Sequence, residues 1–125
     1  MPGTSVSQLV AIVDDDRSVQ RALKDLMESA GLSARSFASG KEFLESDQRS
    51  ETACLVADIR MPGMSGLELQ AKLKAEGSRI QIIFITAHGT AEIKRQAMAA
   101  GAVEFLSKPF DDEVLLERVR AALER

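Results

Sequence analysis

An internal disulfide needs two cysteines and this chain has one, Cys54. No covalent staple of its own holds the fold, and a reducing compartment suits it. Set beside Leu55 and Val56, the thiol reads as a small buried hydrophobe. Clustered Lys and Arg are also missing, and the formal charge is −3, so this segment is not expected to grip nucleic-acid phosphates directly. The apolar run at residues 9–13 ends after five residues against three acids, and no cationic stretch precedes it. That excludes a spanning helix and a secretory signal, and leaves the expectation of a soluble protein of the bacterial cytoplasm with no membrane partner. Internal repeats and low-complexity tracts are absent, and residues 1–7 read as a flexible lead.

What is present is one domain's worth of chain, 125 residues of which 45% are hydrophobic, so residues 1–125 are expected to fold around a single core. Short apolar runs at residues 9–13, 54–57, 80–85 and 103–106 have the length of strands buried on both faces, the pattern of a parallel sheet covered by helices. A weaker run at 33–37, mixed polar and apolar, suits a sheet edge. Between the first two strands, Val19, Ala22, Leu23, Leu26, Met27 and Ala30 recur at helical spacing, with Gly31 placed to end the helix. Ser39 with Glu42, and Ser65 with Glu68, have the spacing of capping boxes that open a second helix ending near Asp47 and a third stopped by Gly77. Thr90 is placed to cap a helix through Ile93, Ala97 and Ala100 to Gly101, and Asp111 one whose stripe is Leu115, Val119 and Ala122. Five strands alternating with five helices predict a doubly wound, flavodoxin-like α/β sandwich, for which the five-stranded order is 2-1-3-4-5.

In such a sheet the functional crevice lies beyond the carboxyl ends of the strands. Strand 1 leads into Asp14, Asp15 and Asp16, strand 3 into Asp58, strand 4 into Thr86, and strand 5 into Lys108 and Pro109. With strands 1 and 3 adjacent, Asp14, Asp15 and Asp58 converge, and crowded carboxylates must take up protons or bind a cation. Mg²⁺ suits them, being a hard ion that accepts few protein ligands and keeps its waters. Asp58 is then placed as a nucleophile toward phosphorus, with the Lys108 ammonium and the Thr86 hydroxyl to offset charge on the phosphoryl oxygens. Each residue also has a plainer reading. Asp16 reads as a helix N-cap, Asp14 and Asp15 taken alone fit a cap as well as a metal site, and Lys108 and Thr86 taken singly are an ordinary solvated lysine and a strand-ending β-branched residue. Met61, Met64 and Phe105 are packing residues by default.

Ile12-Val13-Asp14-Asp15-Asp16, Asp58-Ile59-Arg60-Met61-Pro62-Gly63-Met64-Ser65-Gly66, Ile85-Thr86-Ala87 and Lys108-Pro109-Phe110 resemble the receiver domain of bacterial two-component response regulators. Four motifs in order, each at the end of a predicted strand, make the likeness specific, and it covers the chain after Gln8. The resemblance implies that Asp58 is the phospho-acceptor, that Asp15 and Asp58 ligate Mg²⁺ directly, that Asp14 does so through water, and that Arg60 adds its backbone carbonyl. It makes Thr86 and Phe105 the switch pair and Lys108 the cation that meets the phosphoryl group, with a cis peptide before Pro109. His88 reads first as a surface-loop residue; the resemblance implies that it and Arg60 flank the phosphoryl group and tune its lifetime.

The implied function is a phosphorylation-dependent switch rather than an enzyme turning over substrate. A sensor histidine kinase or a small phosphodonor would load Asp58, and the face of helix 4, strand 5 and helix 5 would then dimerise or dock an effector, including a DNA-binding one. The chain stops at Arg125 after the last predicted helix, which fits a stand-alone regulator or the front of a longer one. Two rivals are weaker. A phosphohydrolase of the haloacid-dehalogenase type would carry a second Asp where Arg60 stands, and a flavodoxin-like nucleotide binder would want a Gly and Ser/Thr cradle where this chain has acids.

Overall fold

The structure is a computed structural model and describes residues 8–124; the flexible lead expected at residues 1–7 lies outside the described residues. Five strands, β1 (Leu9–Val13), β2 (Ala34–Phe37), β3 (Thr52–Ala57), β4 (Gln81–Thr86) and β5 (Glu104–Ser107), alternate with five helices, α1 (Arg17–Ser29), α2 (Gly40–Leu44), α3 (Gly66–Ala75), α4 (Ala91–Ala99) and α5 (Asp112–Leu123). All strand pairs are parallel, and the sheet order is β2-β1-β3-β4-β5, as the alternation predicts. The mixed strand β2 sits at an edge.

The apolar runs are buried on both faces because side chains alternate across a strand. Ala11, Val13, Leu55, Ala57 and Phe84 point one way, into a core closed by Phe43 of α2, Leu69 and Leu73 of α3 and Ala97 of α4. Val10, Ile12, Cys54, Val56, Ile83 and Ile85 point the other way, against Leu23 and Met27 of α1 and Leu115, Val119 and Ala122 of α5. Truncating a fully buried anchor such as Leu115 to Ala would cost about 2–5 kcal/mol. Cys54 is part of this second core, as read from sequence, and burial pushes its thiol pKa up to about 12.

The helix signals hold with some corrections. In α1 the buried stripe is narrower than the apolar spacing suggests: Leu23 and Met27 are buried while Ala22, on the flank, is exposed. Gly31 has φ 81°, the left-handed conformation that ends the helix without a Cβ penalty. The capping box at Ser65 is complete, with Glu68 N donating to Ser65 Oγ at 3.1 Å and Ser65 N to Glu68 Oε1 at 2.9 Å. At Ser39 only half of it forms, since Glu42 accepts from Ala38 N instead, at 3.4 Å. Helix α2 stops at Leu44, short of Asp47, because Ser46 caps a separate 3₁₀ turn at Asp47–Glu51 by accepting from Gln48 N at 3.0 Å. Strand β3 starts earlier than expected, at Thr52, and β5 is displaced by one residue to Glu104–Ser107.

Candidate functional site

Asp14 and Asp58 follow the last residues of two neighbouring strands, and the register pairs Val13 with Ala57. The Asp58 amide donates to the Val13 carbonyl at 3.1 Å, so the two strand ends are tied level. Both carboxylates are buried, Asp14 to 1% exposure and Asp58 to 7%. Lys108, the first residue beyond β5, closes the group: its Nζ lies 3.4 Å from Asp14 Oδ2 and 3.2 Å from Asp58 Oδ2. The Lys108–Pro109 peptide is cis, as the resemblance implied.

The electrostatics follow from this packing. Burial raises the Asp14 pKa, with the neighbouring Asp58 charge adding to the effect; the Asp16 amide and the Lys108 ammonium pull the other way without cancelling it. Burial alone would lower the Lys108 pKa, but the charges and hydrogen bonds of Asp14 and Asp58 outweigh it, so the ammonium is held above its usual range. Two buried carboxylates facing one ammonium leave negative charge in excess, and leaving one buried charge uncompensated is expensive.

The remaining predicted residues lie next to these in the chain or at the ends of the neighbouring strands. Asp15 is exposed at the rim, next to Asp14 in the chain. Asp16 accepts from Ser18 N and Val19 N at 2.8 and 3.3 Å, the N-cap its plainer reading gave it. Arg60 donates its backbone N–H to Asp58 Oδ1 at 3.2 Å and holds its side chain in solvent. Thr86 is fully buried, and its Oγ1 accepts from His88 N at 3.1 Å; the His88 side chain is exposed. Phe105 is 7% exposed, its ring 6.3 Å from that of Phe84. The ring lies inward, under the loop between β4 and α4.

Whether the site suits a hard divalent ion turns on its donors. Asp14 and Asp58 offer carboxylate oxygens against a charge deficit that Lys108 alone does not fill, and oxygen donors of this kind are what Mg²⁺ takes. Among the described residues no three His, Cys, Asp or Glu side chains stand close enough to form a ready metal cluster. Asp14 and Asp58 are brought together, on the Lys108 ammonium; Asp15 stands apart at the rim. The donor chemistry fits.

Three supporting residues were not assigned a role from sequence. A Cβ on Gly66 would lie 2.3 Å from the Asp58 carbonyl oxygen and 2.9 Å from Ile59 Cα, so only glycine lets the start of α3 press against the backbone of Asp58. A Cβ on Gly89 would meet two Phe105 ring atoms at 2.7 and 2.8 Å and the Thr86 methyl at 3.0 Å. Gln20 donates to the Asp14 carbonyl at 2.7 Å. The glycines were visible within the motifs or beside them, but a tight approach has no sequence signature of its own.

Residues 10–120 match the family model of the response regulator receiver domain. Nodulation protein W of Bradyrhizobium diazoefficiens is 47% identical over 121 residues, which is 97% of this chain and 53% of that protein. The transcriptional regulatory protein FixJ of Azorhizobium caulinodans is 42% identical over 116 residues, 93% of this chain and 55% of that protein. The chain thus spans about half the length of these curated relatives. Among solved structures, the response regulator StyR superposes with TM-score 0.87 at 46% identity, over 94% of this chain and 60% of that one. The FixJ-N crystal structure superposes with TM-score 0.84 at 37% identity, over 94% of each chain.

Proposed function

The chain belongs to the response regulator receiver domain family, and from that premise we propose that it is a phosphorylation switch in which Asp58 takes the phosphoryl group. The observation that supports this most is the Lys108 ammonium set against two buried carboxylates at adjacent strand ends, one of them the proposed nucleophile. A purely structural ion pair would be content with one acid; the second leaves a standing deficit of positive charge.

In the proposed step an Asp58 carboxylate oxygen attacks the donor's phosphorus. The new O–P bond forms as the donor's P–N or P–O bond breaks, and the leaving group keeps the electron pair and gains a proton. Mg²⁺, when bound, would neutralise charge on the phosphoryl oxygens; Asp15 and Asp58 would hold it directly, Asp14 through water and Arg60 through its carbonyl. Lys108 shifts from bridging the acids to facing the transferred group, and the Thr86 hydroxyl gives its hydrogen to another phosphoryl oxygen. These residues prepare a single transfer, so the chain is read as a switch and not as an enzyme.

Phosphorylation adds roughly two negative charges. With Thr86 drawn toward them, the inward Phe105 ring would be selected from its alternatives, and the face of α4, β5 and α5 would be reshaped. A sensor histidine kinase or a small phosphodonor would load the site. The partners of the reshaped face would be a second copy of the chain or a DNA-binding effector, fused or separate, in keeping with relatives that are named transcriptional regulators. Arg60 and His88, on the two loops beside Asp58, would tune phosphoryl lifetime; unchanged autodephosphorylation in an Arg60→Ala, His88→Ala double variant removes that role. Among the described residues no helix is long and apolar enough to cross a membrane, and the bacterial cytoplasm is the proposed location.

Intact-mass analysis after incubation with acetyl phosphate and Mg²⁺ tests the reading. One phosphoryl group should be gained, and EDTA or Asp58→Ala should abolish the gain. A gain that survives Asp58→Ala would refute the assignment.

A further inference from the structure

Gln20 lies one turn into α1, away from the reacting groups, yet both of its donors return to the acidic loop. Its backbone amide donates to the Asp16 carbonyl at 3.0 Å, opening the helix. Its side chain folds back over the same turn, and Nε2 donates to the Asp14 carbonyl at 2.7 Å. By that point the ladders that β1 makes with β2 and β3 have ended, at Val13.

Asp14 is held at every polar atom. Its amide donates to Phe37 O at 3.1 Å, its Oδ1 accepts from Asp16 N at 2.9 Å, and its Oδ2 faces Lys108 at 3.4 Å. Gln20 supplies the fourth contact, on the carbonyl. Because the six atoms of a peptide group lie in one plane, fixing the direction of the Asp14 carbonyl also fixes where the Asp15 amide and Cα lie. The Gln20 side chain therefore governs how the Asp14–Asp15 step presents its two carboxylates.

We propose that Gln20 is a positioning residue for cation binding: its Nε2–H orients the Asp14–Asp15 peptide and so sets Mg²⁺ affinity, without touching the ion or the phosphoryl group. This rests on the metal-assisted switch proposed above. Outer-shell hydrogen bonds to ligands typically govern about 10–100-fold in metal affinity. The Gln20 contact is to a ligand's backbone and half-buried, so the effect belongs at the lower end, roughly tenfold.

The test compares the full chain with Gln20→Met, which keeps length and helix propensity but has no donor, and with Gln20→Ala, which also removes the bulk. Mg²⁺ affinity is read from the rise in melting temperature over a magnesium chloride series, starting in EDTA. Phosphorylation by acetyl phosphate is followed by intact mass over the same series. Both variants should need roughly tenfold more Mg²⁺ for half-maximal rate and reach the unmodified chain's rate at saturation. A helix-stabilising role alone would lower the melting temperature in EDTA and leave the Mg²⁺ requirement where it was. The proposal is overturned if Gln20→Met has an unchanged Mg²⁺ requirement, or if only Gln20→Ala shifts it, since bulk and not the donor would then matter. Should the unmodified chain itself show no Mg²⁺-dependent phosphorylation, the switch reading fails and takes the proposal with it.

Discussion

Adding one methyl group at Gly89 should push the Phe105 ring out of its pocket. In the Gly89→Ala variant the new Cβ would stand 2.7 and 2.8 Å from two ring atoms and 3.0 Å from the Thr86 methyl. These are closer than carbon atoms approach without repulsion, and the ring also packs near Phe84, with centroids 6.3 Å apart. Overpacking of this kind costs about 1–3 kcal/mol through the small side-chain and backbone shifts it forces. The escape is for the ring to turn toward solvent, giving up burial that is worth about 1.5–3 kcal/mol for a Phe side chain.

The two terms are of similar size, so the variant should hold the ring inward in a smaller share of molecules than the unmodified chain does. A bias of about 1–3 kcal/mol shifts the balance by roughly 5–150-fold. The measurement is the nuclear Overhauser contact between the Phe105 ring and the Thr86 methyl, both of which crowd the same point beside Gly89. The chain has five Phe and neither Tyr nor Trp, so selective Phe labelling gives a sparse spectrum. The contact should weaken in Gly89→Ala and recover in part on phosphorylation. An undiminished contact together with unchanged stability would refute the reasoning, because the loop would have absorbed the methyl group without consulting the ring.

The site also sets a trade between stability and function. Asp14 has a folded pKa above its ordinary value of 3.8, so its contribution to stability is lost as pH rises from 3.8 through the folded value; Asp14→Asn should melt higher than the unmodified chain in EDTA at neutral pH while losing Mg²⁺ affinity. Lys108 has the same sign in an alkaline window: its folded pKa lies above 10.5, so its contribution is complete below that pH and disappears as pH rises through the folded value, and Lys108→Met should flatten an alkaline melting series there. Cys54, with its pKa held at about 12, should resist an aromatic disulfide reagent at pH 8 and react stoichiometrically once urea unfolds the chain. Gly66→Ala forces a methyl group onto the Asp58 backbone and should destabilise by about 3 kcal/mol or more, read from a urea melt, since backbone cannot swing aside as a side chain does.

What could be read from sequence follows a physical division. Residues whose chemistry is their message were found: acids at strand ends, a lysine after β5, Ser65 with Glu68 at a helix start. The double-sided burial of residues 9–13 and 54–57 announced a parallel sheet, and the alternation of elements then chose its order. Illegible were features decided by competition between neighbours, such as Ser46 capping a new turn and so ending α2 at Leu44, or Glu42 accepting from Ala38 instead of closing its box. Residues that act through space or through the backbone were equally silent. Gly89 matters for the volume it leaves to a ring sixteen positions away in sequence, and Gln20 for one hydrogen bond to a carbonyl, and neither effect belongs to the residue type.

Register carries the last step from fold to site, and it too was beyond the motifs. Val13 pairs with Ala57, so Asp14 and Asp58 leave their strands side by side and their carboxylates meet on Lys108. Ala57 pairs with Phe84, so the level of Asp58 corresponds to Ile85, and Thr86 stands one residue beyond it. One residue of strand is about 3.3 Å, close to the distance by which a phosphoryl group extends a carboxylate. The hydroxyl is therefore offset by one residue from Asp58, the proposed nucleophile, and in this structure its oxygen accepts from the His88 amide. A sheet slipped by one residue between β3 and β4 would keep every motif and lose that offset, so the relative register of β3 and β4 is as much a part of the proposed switch as Thr86 itself.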